Sequence, residues 1–108
     1  MFKGHVASGT VEGTGAAINI SCGFTPSHVR VVNFDDPTTM EWFAGMGAAA
    51  GVKLTDAPAL TKITSNGIST YAGSDTPGSE AGKGFTIGAD TDLNVDGETL
   101  FWFATGDD

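Results

Sequence analysis

Short segments in which apolar and polar residues alternate are the main pattern of this sequence. Between residues 16 and 21, Ile18 and Ile20 occupy alternate positions, and a period of two is typical of a half-buried β-strand. The best helix candidate, residues 44–50, is interrupted by glycines and is expected to form at most one turn. The same alternation predicts strands at residues 16–21, 28–34, 38–44, 52–55, 59–64, 68–71, 85–87 and 99–104.

Turn residues separate these strands. Ser65-Asn66-Gly67 predicts a hairpin between the strands on either side, because Asn and Gly both tolerate positive φ. Asp96-Gly97 predicts a second hairpin before the last strand, and the polar, glycine-rich residues 73–84 predict an exposed loop. About eight short strands at this spacing predict an all-β, single-domain β-sandwich or jelly-roll-like fold with glycine-rich loops and little or no helix.

The chain of 108 residues is long enough for one domain. We expect an N-terminal arm at residues 1–15 and a β-sandwich at residues 16–108. The arm has few apolar residues and cannot fold alone, so it is expected either to order on a partner or to be an ordinary edge strand. The small residues at 44–51 would allow a close approach to a flat partner surface.

More apolar side chains are present than one core needs. The alternation assigns to the core Ile18, Ile20, Val29, Val31, Trp42, Ile63, Ile87, Leu100 and Trp102. Further apolar residues lie on the opposite strand faces, where they would form a patch larger than a soluble monomer usually exposes. This surplus predicts contact with a second copy or another protein through Phe34, Phe43, Phe101 and Phe103, joined by Phe2 and Val6 of the arm.

Charge and cysteine content narrow the function classes. Five basic residues against thirteen acidic ones give a net charge of −8, so neither nucleic acid nor a membrane is an expected partner. The sequence contains no run of 18 apolar residues, so it does not predict a transmembrane helix. No signal peptide is visible at the start, and Cys22 has no second cysteine with which to pair.

One acidic segment has the spacing of a calcium loop. Asp92, Asn94 and Asp96 are followed by Gly97, as in the first six positions of such a loop, but Phe103 stands where the bidentate glutamate is needed. The favoured interpretation is an ordinary loop, and the calcium site is a weak candidate. No motif for nucleophilic catalysis accompanies either histidine, so we expect neither enzymatic activity nor a cofactor.

Two segments resemble small virion proteins of tailed bacteriophages, and together they cover about half of the chain. Residues 23–33, followed by Glu41-Trp42, resemble the opening segment of those proteins. The closing segment of those virion proteins resembles residues 84–88, Leu93-Asn94, Gly97 and residues 100–103 of this chain. That segment is also common in modules of phage tail fibres.

This resemblance implies a structural role. The small size suits a capsid decoration, or cement, protein, which would bind the major capsid protein at the virion surface after assembly in the host cytoplasm. The family also implies a homo-trimer at three-fold positions. The alternative is a tail or tail-fibre-associated module that binds a host-surface glycan through exposed Trp42 or Tyr71, with Asp75 contacting sugar hydroxyls.

Overall fold

The computed structural model describes residues 4–56, 59–73 and 82–106. In these residues the chain forms eight antiparallel strands. A short 3-10 turn, Ala44–Met46, follows the fourth strand, and no helix in the described ranges is long and apolar enough to cross a membrane. The strands are β1 (His5–Glu12), β2 (Ile18–Ser21), β3 (His28–Asn33), β4 (Thr38–Phe43), β5 (Ala50–Thr55), β6 (Leu60–Tyr71), β7 (Gly84–Ile87) and β8 (Thr99–Gly106).

The strands belong to one sheet, in the order β1-β8-β3-β4-β5-β6-β7-β2. The sheet curls so that its inner face encloses a single core, which confirms the all-β fold with little helix. β1 and β2 are the two edge strands of the sheet; β1 pairs only with β8, and β2 pairs only with β7 among the described strands. The arrangement is sandwich-like, with one curled sheet supplying both layers.

Side chains at alternate positions fill the core. Val29 and Val31 of β3 are fully buried, as is Met40 on β4. Five of the nine expected core residues are buried: Val29, Val31, Trp42, Ile87 and Leu100. The other four, Ile18, Ile20, Ile63 and Trp102, are partly exposed but pack against the core.

The predicted hairpin at residues 65–67 is wrong, because β6 runs through these residues as one strand. The β5–β6 register jumps from Gly51 opposite Ile63 to Ala50 opposite Ile68, so the intervening residues of β6 bulge out. Asn66 has φ +60°, whereas Gly67 does not have a positive φ, so the pair does not form the type I′ turn that Asn-Gly favours in hairpins. The bulge lets the first half of β6 pair with β5 and the second half with β7.

Asp96-Gly97 forms a turn but not a hairpin between sheet neighbours. The Glu98 N–H donates to the Val95 carbonyl at 3.1 Å, and Gly97 has φ +85°. The strand that follows, β8, lies between β1 and β3, far from β7 in the sheet order. The expected hairpin is therefore wrong, because after this turn the chain crosses the curled sheet and enters β8, which does not pair with β7.

Part of the expected N-terminal arm is a strand of this sheet. β1 pairs with β8 along its whole length, from His5 opposite Gly106 to Glu12 opposite Thr99. Its inward side chains, Ala7 and Val11, pack against the core. Residues 5–12 therefore form an edge strand, which was one of the two predictions for the arm. Phe2 lies outside the described residues.

Candidate interaction surface

One side of the curled sheet points away from the core, and we call it the outer face: the outward side chains of β1, β8, β3, β4, β5 and the first half of β6. Phe101 and Phe103 lie on it as alternate residues of β8, 44 % and 41 % exposed. They point outward because Leu100 and Ala104, in the other phase of the strand, are buried in the core. The strand is therefore apolar on both of its faces.

An apolar row crosses the outer face at Phe101. The register places Phe101 opposite Val32 of β3, which lies opposite Thr39 of β4. The row continues through Leu54 to Leu60, which are 46 % and 71 % exposed. Five neighbouring strands therefore present one band of apolar and threonine side chains to solvent.

Phe34 extends this band beyond the end of β3. Its ring meets Phe101 edge to face, with ring centroids 5.3 Å apart, and Phe34 stays 68 % exposed. Beside it is a shallow groove of about 220 Å³, lined mostly by apolar atoms of Val32, Pro37 and Leu54. The groove gives this end of the outer face a concave surface that a partner side chain can enter.

Charged residues form a second row next to the apolar one. Phe103 lies opposite Arg30, which lies opposite Glu41, and the row ends at Lys62. The outward positions of these strands carry two bases, Arg30 and Lys62, against two acids, Glu12 and Glu41. The outer face is therefore close to neutral, although the chain as a whole has a net charge of −8.

His28 and Phe43 mark the third row. Their rings stack with centroids 4.7 Å apart, and His28 Nε2 lies 3.1 Å from Glu41 Oε2. The register continues this row through Thr105 to Val6 on β1. The stacked imidazole and the carboxylate within hydrogen-bonding distance of it hold the Phe43 side of the outer face in a fixed arrangement.

All the expected contact residues that the structure describes lie exposed on this one face. They are Val6, Phe34, Phe43, Phe101 and Phe103, 41–68 % exposed. The four phenylalanines alone expose on the order of 400 Å², given about 200 Å² for a whole aromatic side chain. A patch of this size on a soluble protein is often functional. Sequence reasoning missed Leu54 and Leu60, although the alternation along β5 and β6 was the signal that could have found them.

The weak calcium candidate has other partners in the structure. Asn94 is 1 % exposed: its Oδ1 accepts from the N–H groups of Thr14 (2.9 Å) and Gly15 (3.3 Å), and its Nδ2 donates to the carbonyls of Ala16 (2.7 Å) and Gly88 (2.9 Å). All four hydrogen-bonding positions of the amide are thus used to join the β1–β2 loop to the β7–β8 loop. Its oxygen is turned toward backbone donors, not toward a cation.

Lys53 holds the neighbouring carboxylates. Its Nζ lies 2.9 Å from Asp90 Oδ2 and 2.8 Å from Asp92 Oδ2. The other Asp90 oxygen accepts from the N–H groups of Asp92 and Leu93. Asp96 is exposed at the turn, and the described residues contain no cluster of three or more Asp, Glu, His or Cys residues suited to a metal. Asp92 and Asn94 are therefore engaged by Lys53 and by backbone groups, while Asp96 lies exposed at the turn.

We expect Lys53→Met to destabilise the protein by about 2 kcal/mol. Asp90, whose side chain is 8 % exposed, would lose its cation, and removing one partner of a fully buried pair costs roughly 3–5 kcal/mol. Half-exposed Asp92 and nearby water reduce that cost. Denaturant unfolding of this variant and of Lys62→Met, which removes an exposed lysine from β6, measures the difference; equal midpoints would contradict the prediction.

The same ion pair has a predictable pH dependence. Burial by itself lowers the pKa of the Lys53 amine, but hydrogen bonds to Asp92 and Asp90 and their charges outweigh it, so that the pKa is raised above its ordinary value. The stabilisation is therefore complete below about pH 10.4, the ordinary lysine pKa, and is lost as pH rises through the raised value. On the alkaline side, the stability gap between the natural protein and Lys53→Met should begin to shrink above about pH 10.

Of the residues expected to bind a glycan, Trp42 is not displayed for stacking. Trp42 is 2 % exposed, and its indole N–H donates to the Gly47 carbonyl at 2.7 Å. Trp42 therefore lies in the core, as the alternation predicted, and the exposed Trp42 that the glycan-binding alternative requires is wrong, because β4 directs this side chain inward. Tyr71 is half-buried at the end of β6, and Asp75 lies outside the described residues.

Among the described residues, the outer face is the feature that best fits a functional site. It combines exposed aromatic rings, a shallow groove and balanced charges on a rigid sheet. Such a surface is suited to binding a macromolecule rather than to chemistry on a small substrate. Comparisons of this chain with protein-family models, curated proteins and solved structures gave no match.

Proposed function

We propose that this protein is a structural component of a tailed-bacteriophage virion, a decoration protein that binds the major capsid protein and stabilises the head. The observation that carries the proposal is the row of exposed apolar side chains across the outer face, centred on Phe101 and Phe34. The resemblance to small phage virion proteins supports the choice of partner; it is carried by residues 23–33 with Glu41-Trp42, and by residues 84–88, Leu93-Asn94, Gly97 and residues 100–103.

The physical properties of the outer face suit a repeated lattice contact. The apolar row lies on five hydrogen-bonded strands, so little conformational entropy is lost when the face is covered. The charged row beside it gives a polar flank with residues of both signs, Arg30 and Lys62 against Glu41. Modest contacts of this kind become effective when many copies bind one shell, because neighbouring sites act together.

The glycan-binding alternative has less support. Aromatic side chains that stack on sugars must present a ring face to solvent, and Trp42 is in the core. The exposed phenylalanines lack the polar groups that distinguish one sugar from another. The distribution of the protein in the virion separates the two functions.

Copy number in purified virions tests the proposal. Quantitative mass spectrometry of virions from the phage whose genome carries this sequence should find the protein in hundreds of copies, in a fixed ratio to the major capsid protein. A handful of copies per particle would instead indicate a position in the tail, and absence from the particle would refute a structural role.

We expect the double substitution Phe101→Ser and Phe103→Ser to weaken capsid binding by about 30-fold or more, since central aromatic residues often contribute at least 2 kcal/mol to an interface. Both side chains are partly exposed, so the β-fold should remain. Cosedimentation with undecorated capsids measures the affinity, and circular dichroism reports the fold. The control Thr91→Ala changes an exposed turn residue off the outer face; binding by the double variant equal to this control would contradict the assignment of the face.

A further inference from the structure

The free edge of β1 carries unpaired backbone groups. The Gly13 N–H donates to the Glu98 carbonyl at 2.8 Å, in line with the β1–β8 register. Because hydrogen-bonded and non-hydrogen-bonded pairs alternate in an antiparallel ladder, the odd-numbered residues of β1 bond to β8. The even-numbered ones, among them Val6, Ser8 and Thr10, direct their N–H and C=O groups to the open side. No described residue pairs with that side.

This edge lacks the features that usually prevent strand addition. Natural sheets protect their edges with short strands, proline, lysine or bulges. β1 is eight residues long, contains neither proline nor lysine, and keeps an unbroken register with β8. The opposite edge, β2, is only four residues long. The sheet is therefore protected at one end and open at the other.

We propose that β1 pairs antiparallel with β1 of a second copy, about a two-fold axis at Ser8. A two-fold axis perpendicular to the sheet keeps the outward side chains of both copies on the same side. Even-numbered residues of one β1 therefore lie opposite even-numbered residues of the other. With Ser8 opposite Ser8, Val6 lies opposite Thr10, and the open N–H and C=O groups of all three residues find partners. The two sheets then join into one, with both outer faces on the same side.

Charge favours a second copy as the occupant despite the net charge of −8. The segment from Val6 to Val11 has no charged residue, and the only acid of β1, Glu12, stands at its end. In the antiparallel register the two Glu12 carboxylates lie at opposite ends of the paired strands, each opposite Gly4. Repulsion across the contact is therefore small, and the middle of the pair consists of small, uncharged side chains.

The proposal goes beyond the virion function and does not require it. A two-fold contact through β1 also differs from the homo-trimer that the phage resemblance implies. Joining the copies would place Phe101 and Phe103 of each, one strand away from β1, on one continuous surface. The contact leaves the outer face itself uncovered.

Cysteine crosslinking tests the register. In Ser8→Cys the two introduced residues would face each other with Cα atoms about 5.5 Å apart, within the range of a disulfide. Thr10→Cys is the matched control on the same strand and face, where the two cysteines would lie on the order of 13 Å apart, too far to link. Under mild oxidation we expect most of Ser8→Cys as a disulfide dimer and Thr10→Cys as single chains, like the natural protein. Equal crosslinking of the two variants, or none in Ser8→Cys, would overturn the proposal.

The mass in solution provides a second measurement. Sedimentation equilibrium should give about twice the 11.0 kDa chain mass, and Ser8→Pro should reduce it to one chain. Proline removes only an N–H that faces the open side, a position where edge strands tolerate it, so the circular dichroism of the β-sheet should persist. A mass of one or three chains for the natural protein would overturn the two-fold pairing.

Discussion

Replacing Gly84 with alanine is expected to destabilise the protein by about 3 kcal/mol or more, lowering the melting temperature by roughly 12 °C or more. Gly84 is buried in β7, opposite Ser21 of β2. A Cβ atom there would overlap the carbonyl oxygen of Ile20 and come within 3.0 Å of the Cys22 nitrogen. Both are backbone atoms, so no side-chain rotation relieves the contact and β2 must move away from β7.

Gly82→Ala is the matched control for this substitution. It lies two residues earlier in the chain, and its Cβ would meet only the Cβ of Ser21, at 3.6 Å, an ordinary contact. Thermal unfolding followed by circular dichroism should therefore show a large loss for Gly84→Ala and little change for Gly82→Ala. Similar melting temperatures for the two variants would show that β2 and β7 are not packed as described.

Asn94→Asp should destabilise the protein by about 3 kcal/mol, because it converts two donated hydrogen bonds into repulsive contacts. The amide nitrogen now donates to the carbonyls of Ala16 and Gly88, and a carboxylate oxygen in its place would face those oxygens in a site that is 1 % exposed. A calcium loop predicts the reverse, since a third carboxylate would strengthen an oxygen ligand set.

Calcium titration separates these two expectations. Millimolar CaCl₂ should leave the melting temperature of Asn94→Asp low, because the segment functions as a connection between loops. Asp96→Asn, at an exposed turn position, is the control and should change stability by no more than about 0.5 kcal/mol. Recovery of Asn94→Asp by calcium would restore the metal-site interpretation.

Much of the core could be predicted because alternation reports burial directly. Val29 and Val31 lie on β3, whose other face carries the polar residues His28 and Arg30, so period two identifies their inward side. Phe24 was missed, although it is buried, because it lies in a loop where no period applies. Loops that cover the ends of a curled sheet must bury apolar residues, but only the curvature shows which ones.

Pairing between distant segments could not be predicted from local pattern. Asn66-Gly67 is compatible with both a hairpin and a bulge, and the choice depends on β5 and β7, which flank β6 on either side. The ion pair between Lys53 and Asp90 joins residues 37 positions apart, so no local sequence feature predicts it. The outward phenylalanines were predictable, but their assembly into three rows depends on the strand order.

The pairing of β1 with β8 also constrains when the sheet can be completed. His5 lies opposite Gly106, so β1 leaves the ribosome about 100 residues before its partner β8 and must wait for it. At a synthesis rate of roughly 5–20 residues per second, this delay is on the order of 5–20 s. During that time β3, β4 and β5 can form their consecutive hairpins, while β1 has neither edge occupied. The nascent chain therefore exposes a strand whose residues 6–11 are uncharged next to other nascent copies on the same messenger, and chaperone binding at residues 5–12 would be most useful at this stage.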